Sequence, residues 1–492
     1  MSRSVVSYLL LGGALTSVLS SPAVADLKRG PVLVVSRIQY VTDTTPRPET
    51  YPLIFNDPNV TGVQGNIFLD YFLATSGGPP ILTLPLTAAA AAQHQPAITT
   101  SFSSKSEGAL HLSVDGRYLT YMGYNAVAGL EGVSNSETTN TAAQITGATG
   151  PFYDRAVALV TANGTVTVTK ENFAYSGDNP RAVITVDGTQ FYMAGNADST
   201  ENKTTPVTGP GLTIGARLGT PGSSNAIQLG VYLATDRPDE STKQHVKDNN
   251  FRGIGISPDS QSTLNLYVSK GSGGNGDDGL FQVQAGTGDG LPTGTGNTIV
   301  QLLGDQATNP ITGASSPLTP FGFFFANPTT LYIADEGNAT IGTDAEGNPI
   351  LVSDPLAGLQ KWLLVGNPGV WQLAYVLQDG LDINVARHLP GYPVPTYTTG
   401  LRNLTGQVNN DGTVTIYAVT AQTSAISGGE PDPTRLVAVT DVAAATHLPT
   451  GSADAGNDQG SDSEPEGLEH FVTLQQSASG QVFRGVAFAP RP

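Results

Sequence analysis

The chain of 492 residues contains no cysteine, which excludes a disulfide framework. Stability must therefore come from buried apolar surface and from the closure of the fold. Beyond the N-terminal region there is also no run of roughly 18 apolar residues, the length that a membrane-spanning helix needs. Cations are scarce, because 23 Lys and Arg face 41 Asp and Glu, and the formal net charge is −18. This charge argues against nucleic acid and anionic membranes as partners, although a local cluster of cations can still bind a small anion.

The first 25 residues have the pattern of a secretion signal. Arg3 supplies a positive start, residues 5–19 are mostly apolar, and residues 23–25 (AVA) form a small-residue cleavage site. We therefore predict a secreted, extracellular protein whose mature part, residues 26–492, forms one domain. The 58 glycines and 34 prolines in the sequence favour many tight turns and few helices.

One short phrase recurs along the sequence. Residues 484–490 (RGVAFAP) repeat residues 252–258 (RGIGISP) almost letter for letter, and looser copies begin near residues 107, 180, 321 and 401. The spacing of about 70 to 85 residues suits a propeller blade of four strands with long loops. After each phrase comes a turn and a second strand-like segment rich in β-branched and aromatic residues.

The last copy of the phrase has no sequence after it to supply partner strands. The missing partner is expected at the other end of the chain, where residues 32–38 (VLVVSRI) have the composition of a buried strand. The sequence therefore predicts an all-β fold, a single closed β-propeller of four-stranded blades whose ring is closed by pairing of the N- and C-terminal strands. Six phrases indicate six blades, and a seventh with an eroded first strand is the alternative.

Four of the six phrases carry arginine at the same position: Arg181, Arg252, Arg402 and Arg484. The first strand of a propeller blade lines the central channel, so these residues are expected to form a ring at its mouth. Such a ring can hold a carboxylate or sulfate through bidentate hydrogen bonds. In the alternative interpretation each arginine only links neighbouring blades through an acidic partner. The candidates for that partner are Asp115, Asp187, Asp259 and Asp335.

Histidines near these arginines are candidates for a general base, because their pKa lies close to neutral pH. His111 lies within an innermost strand, on the same alternation as position 109, and is expected to face the arginine ring. His245 lies in the long loop before Arg252, and His94 and Lys105 precede the first phrase; these loops are expected to rim the same mouth. Taken singly, each histidine is better explained by an ordinary solvated or hydrogen-bonded role; as a group they favour a catalytic one.

Common catalytic motifs are absent: the sequence has no HExxH, paired CxxC, GxSxG or P-loop pattern. Calcium is the candidate ion, because several acidic residues have suitable side chains, but none has the spacing of an EF-hand and no metal ligand is assigned. These acidic positions are Asp277, Asp278, Asp335, Glu336, Asp344 and Glu346. Glycosylation is a further expectation from the Asn-X-Ser/Thr sequons at Asn59, Asn163, Asn202, Asn338 and Asn403.

Residues 330–337 (TLYIADEG), residues 358–362 (GLQKW) and the terminal phrase resemble a family of secreted bacterial and fungal propellers. Among these, the arginine ring with its histidines is similar in kind to the fungal rhamnosyl-glucuronate lyases, which are seven-bladed enzymes that act on gum arabic-type polysaccharides. The resemblance implies a secreted polysaccharide lyase that cleaves beside a uronic acid by β-elimination. An acidic polysaccharide or oligosaccharide is then the expected partner of a monomeric protein.

The residues fit this chemistry. Elimination β to a uronate needs the carboxylate neutralised by arginine or calcium, so that a histidine or tyrosine can remove the proton at C5. Two alternatives stay open. One is a non-catalytic propeller that binds glycans or proteins. The other is a glycoside hydrolase, which needs two facing carboxylates, whereas acidic residues do not recur at the position of the arginines.

Overall fold

The computed structural model describes residues 31–39, 63–74, 77–102, 104–143, 149–196, 216–224, 226–230, 232, 249–271, 277–286, 288, 290–304, 306–338, 340–343, 349–352, 354–383, 385–424, 432–448 and 469–492. Within this part of the chain, six four-stranded antiparallel sheets are arranged as a six-bladed β-propeller. The predicted fold class is therefore confirmed, with six blades and not seven. The expected signal segment and His245 lie outside the described residues.

The blades follow one another along the chain. Blade 1 begins with β1 (Val32–Gln39), β2 (Gln64–Leu73) and β3 (Leu82–Pro85), followed by helix α1 (Leu86–Ala92) and the short β4 (Thr100–Ser101), which pairs with β2. Blade 2 contains β5 (Leu110–Leu112), β6 (Tyr118–Tyr124), β7 (Arg155–Thr161) and β8 (Val166–Glu171), with helix α2 (Thr139–Ala142) between β6 and β7. Blade 3 contains β9 (Pro180–Thr185), β10 (Phe191–Gly195), β11 (Arg217–Gly219) and β12 (Ile227–Gln228).

The second half of the ring repeats the pattern. Blade 4 contains β13 (Gly253–Pro258), β14 (Leu264–Lys270), β15 (Gly279–Gln284) and β16 (Thr298–Gly304), followed by a hairpin of β17 (Gln306–Thr308) and β18 (Ser315–Pro317). Blade 5 contains β19 (Pro320–Asn327), β20 (Thr330–Asp335), β23 (Gly358–Val365) and β24 (Val370–Leu377), with a hairpin of β21 (Thr340–Thr343) and β22 (Pro349–Val352) inserted. Blade 6 contains β25 (Thr396–Val408), β26 (Thr413–Ser424), β27 (Arg435–Val442) and β28 (Val472–Gln476).

The last strand, β29 (Gln481–Phe488), is the innermost strand of blade 1 and closes the ring. It runs antiparallel to β1, with Leu33 opposite Phe488 and Val35 opposite Val486. The backbone N–H of Ala489 continues the ladder by donating to the carbonyl of Val32 at 2.8 Å. The predicted pairing of the two chain ends is thus confirmed.

Successive residues of one strand enter different hydrophobic cores, because side chains alternate across a strand and each blade packs between two neighbours. Val34 of β1 shares a core with Leu119 of blade 2, while the adjacent Leu33 packs in another core with Tyr417 of blade 6. The apolar runs of the inner strands are therefore buried on both faces, which explains why they lack polar alternation.

The glycine that follows the arginine in the recurrent phrase marks a close approach of adjacent blades. A Cβ atom at Gly253 would lie 2.3 Å from the carbonyl oxygen of Phe321 in blade 5. At Gly485 it would lie 2.3 Å from the amide nitrogen of Leu110 in blade 2, and Gly322 has a similar contact with blade 6. A side chain does not fit at these three positions, so three of the inner strands meet their neighbours in the same way.

No helix among the residues that the structure describes has both the length and the apolar character needed to span a membrane.

Removal of residues 484–492 should abolish cooperative folding, because blade 1 then loses its innermost strand and β1 becomes an exposed edge. Thermal unfolding followed by circular dichroism is the measurement. A matched control lacks only residues 491–492, which are exposed, and should keep the midpoint of the full-length protein. A longer truncation that melts cooperatively at the same midpoint would contradict this closure.

Candidate functional site

Four arginines meet at the end of the channel where the inner strands begin, and we call this group the arginine mouth: Arg181, Arg252, Arg402 and Arg484. The side chains come from blades 3, 4, 6 and 1, and all four residues are buried, with exposed fractions between 2% and 8%. Arg252 and Arg402 share the carboxylate of Glu336, and Arg181 is close enough to Arg252 to be affected by its charge, whereas Arg484 donates to the Phe102 carbonyl.

Glu336, which directly follows β20 of blade 5, is the counter-ion of this group. Its carboxylate accepts a hydrogen bond from Arg252 Nη1 at 2.6 Å and another from Arg402 Nε at 3.2 Å. The Nζ atom of Lys105 lies 3.7 Å from the same carboxylate. Lys105 belongs to the segment that enters blade 2, which faces blade 5 across a six-bladed ring, so this ion pair spans the mouth.

The surrounding cations keep Glu336 ionised. Burial by itself raises the pKa of this carboxyl group, but the positive charges of Arg252, Lys105 and Arg402 outweigh it and lower the pKa to about 2. Glu336 is therefore an ionised carboxylate held by three cations, Arg252, Lys105 and Arg402, in a protein that is acidic as a whole.

Glu107, the other carboxyl group at the mouth, is 1% exposed and precedes β5 of blade 2. It accepts hydrogen bonds from the Thr100 hydroxyl at 2.9 Å, the Ser101 amide at 3.0 Å, the Tyr124 hydroxyl at 2.6 Å and the Asn179 amide at 2.6 Å. Burial raises its pKa, while these hydrogen bonds act in the opposite direction. Glu107 is therefore held firmly, with every contact directed into the fold.

A polar contact at the mouth links each pair of neighbouring blades, and together these contacts make a closed circuit. In ring order, Ser36 donates to the Gly108 carbonyl (2.8 Å), Asn179 to Glu107 (2.6 Å), Arg181 to the Phe251 carbonyl (3.3 Å), Arg252 to Glu336 (2.6 Å), Arg402 to Glu336 (3.2 Å) and Asn403 to the Arg484 carbonyl (2.8 Å).

The aspartates considered as partners of the arginines have other roles. Asp115 pairs with Arg117 at 2.6 Å, and Asp335 accepts hydrogen bonds from Thr319 and Gln360. Asp187 and Asp259 accept hydrogen bonds within their own turns. The blades are linked instead through Glu336, Glu107 and backbone carbonyls. The sequence predicts Glu336 only as a possible calcium ligand. Its position directly after β20, the second strand of blade 5, places it at the mouth, because the second strand of a blade ends where the first strand begins.

Arg181 and Arg252 lie close together, and each has an N–H donor that makes no hydrogen bond among the described residues. The Nε atoms of Arg181 and Arg252 are buried and have no hydrogen-bond partner among the described residues. Burial and the nearby charge of Arg252 lower the pKa of Arg181 to about 10. The Arg252 guanidinium also lies 4.6 Å from the ring centre of Phe321. Like charges held this closely in a desolvated site favour the binding of an anion.

The histidines are placed differently from one another. His111, in β5, hydrogen-bonds the backbone of Val183 in blade 3, and burial lowers its pKa to about 4. It is therefore neutral at physiological pH, and its described contacts are with blade 3. His94 is exposed and follows α1. The adjacent Gln93 donates to the Gly164 carbonyl in the turn between β7 and β8. Lys105 lies at the mouth, as expected.

Among the described residues, no group of three or more His, Asp or Glu side chains is arranged to hold a metal ion. Of the proposed calcium ligands, Asp278 pairs with the buried Lys270 at 2.9 Å, and Asp344 and Glu346 lie outside the described residues. The sequons also differ in access: Asn403 is buried in the circuit at the mouth, whereas Asn163 and Asn338 are exposed.

Comparisons with known proteins show no matching family model and no matching curated protein. Among solved structures, the chain is similar to the hydrazine synthase of Kuenenia stuttgartiensis at 9% identity and a TM-score of 0.31, over 77% of this chain and 80% of that one. A GH74 enzyme of Niastella koreensis aligns at 10% identity and a TM-score of 0.23, over 78% and 71% of the two chains. The mannose phosphorylase MPT-4 of Leishmania mexicana aligns at 9% identity and a TM-score of 0.25, over 68% and 87%. Likenesses at this level do not indicate a ligand or a reaction.

The ion pairs of Glu336 should make stability fall at acidic pH. Because its pKa is lower in the folded protein (about 2) than the ordinary value of 4.5, the stabilisation is complete above about pH 4.5 and is lost as the pH falls towards 2. Between pH 6 and pH 3, the free energy of unfolding of the unmodified protein should fall by on the order of 2 kcal/mol more than that of Glu336→Gln. Urea unfolding at both pH values measures this difference.

The matched control is Glu131→Gln, which removes an exposed carboxylate and should reproduce the pH dependence of the unmodified protein. If Glu336→Gln and the unmodified protein lose the same stability over this range, the assignment of an ionised Glu336 is wrong.

Proposed function

We propose that this protein is a secreted β-propeller that binds the carboxylate of an acidic glycan at the arginine mouth. The observation that carries the proposal is the gathering of Arg252, Arg402 and Lys105 around the carboxylate of Glu336, with the buried Arg181 beside Arg252, in a chain where acidic residues outnumber basic ones by 41 to 23. A protein of this composition that concentrates cations at its axis has a local field opposite to its net charge, and that field attracts anions.

Glu336 indicates which kind of anion suits the mouth. Its carboxylate is bound by two guanidinium groups and lies near an ammonium group, which is the arrangement that a uronate carboxylate would meet. The side chain of Lys105 is 39% exposed, so it is the cation through which a ligand in solvent first contacts the site. The arginines behind it supply the charge that one carboxylate does not neutralise.

The reaction we propose at this site is β-elimination. The cations neutralise the uronate carboxylate and make the C5 proton more acidic. A base takes that proton, a C4=C5 double bond forms, the C4–O bond breaks, and the leaving oxygen receives a proton. His111 is in the neutral form that can accept a proton, although its lowered pKa makes it a weak base. His245 is the second candidate.

Hydrolysis is less well supported by the contacts at the mouth. A glycoside hydrolase needs two carboxyl groups free to face the scissile bond. Glu107 and Glu336 are both at the mouth, but Glu107 is enclosed by four donors, and Glu336 is bound by Arg252 and Arg402. Neither carboxyl group is in a position to act as acid or nucleophile without losing these partners.

Replacing cations of the mouth should weaken the binding of an oligoglucuronate. Lys105→Ala leaves the hydrogen-bond circuit intact, whereas Arg402→Ala removes a buried guanidinium that also holds Glu336. If the ligand carboxylate pairs with Arg402, losing that charge pair should cost about 2–5 kcal/mol of binding. Isothermal titration calorimetry measures the affinities. Lys170→Ala removes an exposed lysine of β8 and is the matched control. Unchanged affinity together with lowered stability in the Lys105 and Arg402 variants would show that the cations only link the blades.

A lyase should release a 4,5-unsaturated uronate, which absorbs in the near ultraviolet. An absorbance screen over acidic polysaccharides, with gum arabic first, tests this, and His111→Ala and His245→Ala test the base. If calorimetry shows binding but no substrate yields the unsaturated product, the protein is a non-catalytic glycan binder. If both histidine variants keep the full rate, the assignment of the base is wrong.

A further inference from the structure

A groove of about 490 Å³ lies between blades 1 and 2, on the face opposite the arginine mouth. Its walls come from the start of β1, the turn between β5 and β6, the turn between β7 and β8, and the chain after β29. All these segments lie where the inner strands end. The volume is within the range of roughly 300–1,000 Å³ that is usual for small-molecule sites.

The walls of the groove are mainly apolar. Val32, Tyr71 and Leu82 of blade 1 line one side, and Ile81 at its edge is 38% exposed. Pro490 lies opposite, in the segment that follows β29. Burial raises the pKa of Tyr71 to about 12, so its hydroxyl stays neutral. An apolar body in the groove would therefore replace water at apolar surface without covering an ionised group of these walls.

The charged residues that line the groove are two arginines, Arg117 and Arg491, with no Asp or Glu among the lining residues. Arg117 is already occupied, because its Nε donates to Asp115 at 2.6 Å and its Nη2 to the Asp187 carbonyl at 3.3 Å. Arg491 donates its backbone N–H to the Gly116 carbonyl at 2.7 Å, and its exposed side chain has no ion pair in the described part of the chain. One available cation thus stands at the edge of an apolar groove.

We propose that this groove is a second binding site, which takes a small ligand made of an apolar body and one carboxylate oriented by Arg491. The apolar walls supply most of the affinity, and the guanidinium selects the anion and sets its direction. The site is separate from the arginine mouth and does not depend on a glycan being bound there.

Calorimetry with cinnamate, decanoate and neutral cinnamamide tests this on the full chain. Cinnamate and decanoate carry the same head group on an aromatic and an alkyl body, so comparing them identifies the body that the walls accept. Arg491→Ala keeps the backbone hydrogen bond to Gly116 and should weaken the binding of the accepted carboxylate by up to about fivefold, the equivalent of one exposed ion pair. The affinity for cinnamamide should not change.

Two further variants complete the test. Ala162→Trp, in the turn between β7 and β8, fills the groove and should abolish binding of all three probes while the protein still unfolds cooperatively. Lys105→Ala at the arginine mouth should leave cinnamate and decanoate binding unchanged, which separates this site from the glycan site. The proposal is overturned if neither carboxylate binds, if Arg491→Ala leaves the affinity unchanged, or if Ala162→Trp still binds either probe.

Discussion

The close approach of six inner strands around one axis is the constraint on which the rest of this structure depends. Glycine allows the contact, and small hydroxyl side chains of second strands then complete it: Ser36 donates to the Gly108 carbonyl at 2.8 Å, and Thr120 donates to the Val183 carbonyl at 2.6 Å. These links between blades are neutral and short, so they are insensitive to salt. They join neighbouring blades in a protein that has no cysteine and therefore no disulfide.

The interior also holds much of the scarce positive charge. Lys361 of blade 5 and Asp441 of blade 6 are fully buried, with Nζ and Oδ2 2.9 Å apart, and Lys361 also donates to the Tyr375 hydroxyl at 2.9 Å. A buried pair of this kind contributes little net stability, but removal of one partner leaves an uncompensated charge at the blade interface.

Much of the fold could be predicted from the sequence because the inner strands occupy equivalent places around the axis. They therefore share one short sequence pattern, although they are far apart in the chain. The shared position of Arg252 and Arg484 therefore predicted where they converge. Glu336 could not be assigned as their partner, since its place depends on where β20 ends in three dimensions. The strand of His111 was predictable, but the hydrogen bond to Val183 depends on the offset between two blades. The groove could not be predicted from the sequence, because its walls come from both ends of the domain and from two turns.

The position of β29 has a consequence for the order of folding. This strand is made after all the other blade strands, yet it carries Arg484 to the axis and receives the hydrogen bond from Asn403. Five blades can stack as the chain emerges, but the circuit of polar contacts is open until the last strand inserts beside β1. Because the strands that pair are far apart in sequence, closure is a late and slow step. The arginine mouth is therefore assembled only when β29 inserts, and a partly folded chain lacks Arg484 at the axis.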